Sequence, residues 1–368
     1  MKYAKTVLGL GFGDEGKGKV VSHLCHNEPN TLVIRFSGGH QAGHHVMLKN
    51  GKDHIFTNLG SGTLQGADTY WTKFCTVEPI GLIKELDLLE KNGVTDFRLL
   101  IDVRCPVVTP MDIRANIAED AALRHGTCGV GFGTTLQREK DHYSLLVGDL
   151  ENDSVAQIKV DVISRYYNYL MATEYFWAAV RKMLHHERIS FVSGRPSAAE
   201  YVQLIHEGSQ GLLLDKDIGF FPHVTRSSVG TANVEVIGNT DWYFVTRAYA
   251  TRHGYGPFLH EKVEFGVKEN PYETNLDGGY QGKFRKAPLD LDLLKYGIDR
   301  DGRIERLPHK ALVITCLDLM TKWTYFWQGE QVSWESEPDF VRGIQAALGM
   351  SKVYMSHTPF PEDMELFE

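Results

Sequence analysis

The chain has 368 residues, 42% of them hydrophobic, and a formal net charge of −8 at pH 7. That length supports a large core without metal or disulfide staples, and the acidic balance excludes nucleic acid and anionic membrane as partners, because both call for a basic face. Five cysteines, an odd number with no CxxC spacing, argue against a zinc site and against a disulfide framework.

From Met1 the chain runs straight into a charged strand without the basic, apolar and cleavage regions of a leader. No apolar run approaches the roughly 18 residues of a membrane span. The expectation is a cytoplasmic protein.

Thr6–Leu8 reads as a short apolar strand and Lys17–Cys25 as a helix with Val20, Val21 and Leu24 on one face. Between them, Gly11-x4-Gly16-Lys17 has the spacing of a nucleotide phosphate loop at a strand-to-helix turn. Gly18 stands where a Ser or Thr usually gives a hydroxyl to magnesium, so Asp14, inside the loop, is the nearest hard oxygen donor. A carboxylate among phosphate-seeking N–H groups needs a cation or a substrate proton as its partner.

The strand Thr31–Phe36 leads into a glycine-rich loop with His40, Gln41, Gly43, His44 and His45, followed by a third strand, Val46–Lys49. Three clustered histidines raise the question of a metal, but no Cys or carboxylate of ligand spacing accompanies them. Imidazoles acting as acids or phosphate donors fit better, and a hairpin turn with solvated histidines stays open. A helical pattern over Glu78–Asn92 and an apolar strand at Phe97–Ile101 continue the alternation of a mostly parallel sheet. Residues 125–135 form a second glycine-rich loop, functional or merely flexible, and one aromatic-rich helical pattern covers Asp153–His186.

A strand at Tyr201–His206 ends in Glu207-Gly208-Ser209-Gln210-Gly211, and polar groups crowding the C-terminal end of a strand mark a ligand crevice. The strand Trp242–Arg247 precedes another glycine-rich stretch, 251–257. The basic loop 278–286 suits closure on an anion, or is simply solvated. The strand Ala311–Thr315 ends at Cys316-Leu317-Asp318, and the tail carries Ser356-His357-Thr358-Pro359.

Taken in order, GDEGKGK at 13–19, GGHQAGH at 38–44, GTCGVG at 126–131, EGSQG at 207–211, TRHGYGPF at 251–258 and TCLD at 315–318 resemble the adenylosuccinate synthetase family over almost the whole chain. The resemblance implies one α/β domain, residues 1–368, around a large, mainly parallel central sheet with a P-loop-like site, and a homodimer. It also implies a carbon–nitrogen ligase. A nucleoside triphosphate phosphorylates the oxygen at C6 of a 6-oxopurine nucleotide, and the amino group of L-aspartate then displaces phosphate.

On that pattern Asp14 takes the N1 proton of the purine and ligates Mg²⁺, with the carbonyl of Gly43 as a second ligand. His44 donates to the transferring phosphoryl oxygens, and Gln210 hydrogen-bonds the six-position oxygen. Gly13, Glu15, Gly16, Lys17 and Gly18 would hold the donor phosphates, and Asp318, Cys316, Ser356, Thr358 and Pro359 its base. Gln41, Thr127, Cys128, Gln210 and Thr225 would hold the acceptor nucleotide, and Gln281, Lys283 and Arg285 the aspartate.

The departures from the family pattern cluster around recognition. Thr-Lys-x-Asp reads Thr315-Cys316-Leu317-Asp318, so the lysine stem that packs on guanine is missing and ATP or dATP joins GTP as a candidate donor. NAGH has become QAGH, GTTGRG has become GTCGVG, and of the arginine-rich aspartate loop only Arg285 keeps a bidentate fork. The arginine sent across the dimer interface has no clear match; His142 falls near its place, with Arg138 close by.

This combination resembles the phage branch of the family, the 2-aminoadenylosuccinate synthetases (PurZ), in an aspartate-retaining form, since many phage members have Ser where this chain has Asp14. The expected reaction joins aspartate to dGMP, driven by ATP, dATP or GTP, with IMP and GTP as the alternative pair.

Overall fold

The computed structural model describes residues 3–28, 30–123, 126–234, 239–275 and 282–368. Strands without a polar face make its centre: Thr31–Arg35 and Leu99–Asp102 are buried at every residue, as befits strands covered on both sides. They belong to a ten-stranded sheet in the order Glu365–Leu366, Lys352–Met355, Lys310–Thr315, Asn239–Arg247, Tyr3–Gly9, Gln203–Gly211, Thr31–Arg35, Asp68–Trp71, Leu99–Asp102, Ile189–Val192. Only the edge strand Glu365–Leu366 runs antiparallel to its neighbour. The α/β architecture with a large, mainly parallel sheet is as expected.

Tyr3–Gly9 lies between Gln203–Gly211 and Asn239–Arg247. Three parallel strand ends therefore deliver the phosphate loop, the EGSQG segment and Arg247 to one place, the crevice where open α/β sheets bind ligands. The helix after the loop spans Lys17–Cys25, and Gly16, at φ 93, forms its N-cap.

Three elements differ from the sequence reading. The single pattern over Asp153–His186 is two helices, Asp153–Tyr167 and Glu174–Leu184, because Asn168 ends the first in a left-handed conformation, φ 54. The third strand is His44–Met47, in an antiparallel hairpin with Asp53–Phe56 outside the main sheet. The strand expected to stop at His206 continues to Gly211, so Glu207 and Ser209 project from the sheet. A carboxylate persists there because it is fully paired, as described below.

Candidate functional site

The phosphate loop is shaped by its own acid. Glu15 Oε1 accepts from the N–H groups of Gly11 and Gly13, each at 3.0 Å, and Oε2 accepts from Lys17 Nζ at 2.7 Å. A Cβ at Gly9 would lie 2.3 Å from this carboxylate and one at Gly211 2.4 Å, so both glycines are sterically required. Glu15 and Lys17, expected to meet donor phosphates, are thus a buried pair facing each other. Gly18 has a local reason too. A Cβ there would stand 2.7 Å from the Cβ of His44 and 2.9 Å from Ser61 Oγ, so a Ser or Thr does not fit.

His44 is held from behind. Its Nδ1 donates to Glu207 Oε1 at 2.6 Å, while the Ser61 hydroxyl and the Ser61 N–H, the latter at 3.1 Å, also bind Glu207. Burial alone would raise the Glu207 carboxyl; His44, Arg35 and Ser61 together hold it below the usual carboxylate range. The other imidazole nitrogen of His44, Nε2, is buried without a protein partner among the described residues.

Asp14 adopts φ 58, a backbone that costs on the order of 1 kcal/mol for a residue with a Cβ. Burial pushes its carboxyl above the ordinary range; Arg247 and Lys17 oppose that shift, and Glu15 and Glu273 add to it. Among the described residues no donor hydrogen-bonds this carboxylate, and no group of three or more His, Cys, Asp or Glu side chains forms a metal site. A single hard oxygen beside a phosphate cradle fits Mg²⁺, which keeps several waters and draws further ligands from substrate phosphates.

One cavity of about 1010 Å³ gathers Asp14, Gly13, Glu15, Gly16, Lys17 and Gly18 with Gln41, Gly43, His44, Thr127, Cys128, Gln210 and Thr225. Both amide atoms of Gln41 are buried and unpartnered among the described residues. Ser209 Oγ donates to Gln210 Oε1 at 3.2 Å.

The residues expected at the donor base lie elsewhere. They form a separate cluster on the other side of the Lys17–Cys25 helix. Lys19 Nζ donates to Ser356 Oγ and to the carbonyl of Thr358. Leu317 N donates to the carbonyl of Ser356 at 3.3 Å, which places Cys316, Asp318 and Pro359 in the same group. Burial pushes the Lys19 ammonium down to about 8, and burial raises the Asp318 carboxyl. Thr315 Oγ1 donates to the Glu15 carbonyl at 2.8 Å, tying this cluster to the phosphate loop.

Of the residues expected to hold the aspartate, Lys283 and Arg285 do not line this cavity. Gln281 lies outside the described residues, Lys283 is exposed, and Arg285 pairs with Glu261 at 3.2 Å and with the Gly256 carbonyl at 3.0 Å. Arg252 lines the cavity instead, engaged with the carbonyls of His223, Tyr255 and Pro257. Arg138 is no candidate for crossing an interface, because its fully buried guanidinium binds Asp112 at 2.9 Å. His142 is exposed.

Sequence reasoning missed Glu207 as the partner of His44, and it missed Asn116 and Asp120. Asp120 accepts from the N–H groups of Gly126 and Thr127, and Asn116 from Thr127 Oγ1 and the N–H of Gly131. A helix face thus sets the shape of the GTCGVG loop. No local pattern in the sequence marks either contact.

Sheet topology, phosphate loop and the converging acid and imidazole define a nucleotide-binding α/β enzyme. A family model described as adenylosuccinate synthetase matches residues 6–325. The adenylosuccinate synthetase of Buchnera aphidicola from Schizaphis graminum is 31% identical over 342 residues, 86% of this chain and 77% of that one. The Marinobacter nauticus enzyme is 33% identical over 319 residues, 80% and 73%.

Among solved structures, fully ligated adenylosuccinate synthetase from Plasmodium falciparum shares the fold with a TM-score of 0.76 at 18% identity, covering all of both chains. Cyanophage S-2L succinoaminodeoxyadenylate synthetase (PurZ), bound to dGMP and dATP, has a TM-score of 0.69 at 16% identity, covering 100% of this chain and 95% of that one. The chain belongs to the adenylosuccinate synthetase family. It is a carbon–nitrogen ligase that condenses aspartate with a purine nucleotide.

Proposed function

We propose that the acceptor is dGMP, phosphorylated on O6 by ATP, dATP or GTP and then joined to L-aspartate at C6, with Mg²⁺ held by Asp14 and the Gly43 carbonyl. The observation that carries this reading is Gln41, whose amide oxygen and nitrogen both stand unpartnered in the cavity wall. A purine with a 2-amino group brings one more donor than a 6-oxopurine without it. A wall with a free acceptor pairs that donor, whereas an unpaired one costs about 1–3 kcal/mol. The solved PurZ neighbour carries dGMP and dATP, in keeping with this pair of substrates.

In the first step the Asp14 carboxylate removes the N1 proton, and O6 forms a bond to the γ-phosphorus as the nucleoside diphosphate leaves. Burial raises the affinity of Asp14 for a proton, the direction that favours a general base. His44 presents Nε2 to the phosphoryl oxygens, with Nδ1 held by Glu207, and Gln210 steadies O6. In the second step the aspartate amine bonds to C6 and phosphate departs. When bound, Mg²⁺ supplies charge neutralisation at the phosphates. Ile158, Leu170 and Tyr175, exposed on and beside the two aromatic-rich helices, support the homodimer as the working form.

A second reading takes IMP and GTP, favoured by the retained Asp318 of the base motif. Crossing dGMP, GMP and IMP against ATP, dATP and GTP, with Mg²⁺ and aspartate, separates the two. Succinylated product from dGMP is expected; product from IMP and none from dGMP overturns the proposal.

A further inference from the structure

Asp14 sits on a left-handed backbone turn, φ 58, which a residue with a Cβ keeps only where neighbours hold it. Arg247, the last residue of its strand, reaches that turn: Nε donates to the Asp14 carbonyl. The same guanidinium donates from Nη1 to Glu273 Oε2 at 2.8 Å and to the Tyr249 hydroxyl at 3.1 Å. Its central carbon lies 5.7 Å from the ring centroid of Tyr249 and 5.6 Å from that of Phe284. Glu273 is anchored in turn, accepting from the N–H of Asn275 at 3.3 Å and from its side-chain amide at 3.1 Å. Arg247, Glu273 and Asn275 all line the cavity that holds Asp14.

We propose that Arg247 is a positioning residue of the ligase reaction: it locks the turn that aims the Asp14 carboxylate, and Glu273 braces it against the cavity wall. The inference rests on the reading of Asp14 as the base. One planar fork serves the phosphate loop through Nε and the wall through Nη1, and a lysine ammonium cannot span both directions. Misplacing a reacting carboxylate by about 1 Å can cost roughly a hundredfold in rate. The arrangement therefore bears on turnover more than on nucleotide affinity.

The test measures kcat, the KM of each substrate, thermal unfolding, and equilibrium binding of ATP and of GTP, in Arg247→Gln, Arg247→Lys, Glu273→Gln and Asp14→Ala. The expected result is folded Arg247 variants with kcat lowered by about 10- to 100-fold, triphosphate affinity within about threefold of the parent, and Lys no better than partial rescue. Glu273→Gln is expected to lower kcat less, by about three- to tenfold, because the donor to Asp14 remains. A folded Arg247→Gln with kcat within about threefold of the parent overturns the proposal, as does an equal loss of triphosphate affinity and kcat. If both Arg247 variants fail to fold, an unchanged kcat in Glu273→Gln overturns it. Full turnover in Asp14→Ala would instead remove the base reading, a separate failure.

Discussion

The two sides of the Lys17–Cys25 helix use lysine in opposite ways. Facing the cavity, Lys17 meets the Glu15 carboxylate at 2.7 Å, and beside it His44 meets Glu207 at 2.6 Å. On the far side Lys19 meets, among the described residues, a hydroxyl and a carbonyl, with Asp318 nearby. In the first region each carboxylate is fixed by direct contact with a nitrogen donor. In the second, burial moves the ammonium and the carboxyl toward neutrality. Direct pairing pins geometry, whereas the cluster around Lys19, with Cys316 and Asp318, holds its charges more loosely.

Breaking the cavity side has the largest expected effects. Asp14→Ala and His44→Ala should each lower kcat by about 10³-fold while triphosphate binding, followed by titration calorimetry, stays measurable. Glu207→Gln keeps the shape but loses the charge behind His44. It should cost about 10- to 100-fold in kcat, the range seen for partners that orient a functional imidazole.

On the donor side Cys316→Lys sharpens the contrast. Competing GTP with ATP in that variant should shift preference toward GTP by about tenfold, with kcat for the preferred donor little changed.

The smallest effect on activity belongs to His206, next to Glu207 but turned to Thr6, with Nδ1 at 3.3 Å from its hydroxyl. Burial lowers its imidazole to about 4 from an ordinary 6.5. The unfolded chain therefore takes up the proton first. Stability falls as pH drops from 6.5 toward 4 and this contribution levels off below that. His206→Gln should leave neutral-pH turnover intact and flatten acid-induced unfolding over that window, read by circular dichroism.

What the sequence made legible was local. The Lys17–Cys25 helix appears with the bounds that were read, because glycine, lysine and an apolar stripe announce it within a few residues. Asp14, His44, Gln41 and Gln210 could be named because each lies in a short glycine-rich motif, and the cavity gathers all four. What stayed hidden were contacts across the sheet. Glu207 is 163 positions from His44, and Arg247 is 233 from Asp14. Parallel pairing sets the end of Asn239–Arg247 beside the loop that follows Tyr3–Gly9, and the segment after Thr31–Arg35, the neighbour of Gln203–Gly211, carries His44 to Glu207. The Asn168 break was missed because the hydrophobic pattern continues across it while a single left-handed residue ends the helix. Gly18 looked like a lost magnesium ligand; its absent side chain is the space that His44 and Ser61 occupy.

The carboxylate of Glu15 already occupies the loop as an anion. Two backbone N–H groups and the Lys17 ammonium already share an anion supplied by the chain itself. A singly charged visitor gains little by competing with it, since the resident acid is tethered two residues away and never leaves the neighbourhood. A triphosphate brings several charges on one scaffold, enough to draw Lys17 from its partner while the helix N-terminus receives the rest. Chloride or acetate should therefore leave the loop undisturbed at concentrations where polyphosphates bind, a contrast that competition against triphosphate binding measures.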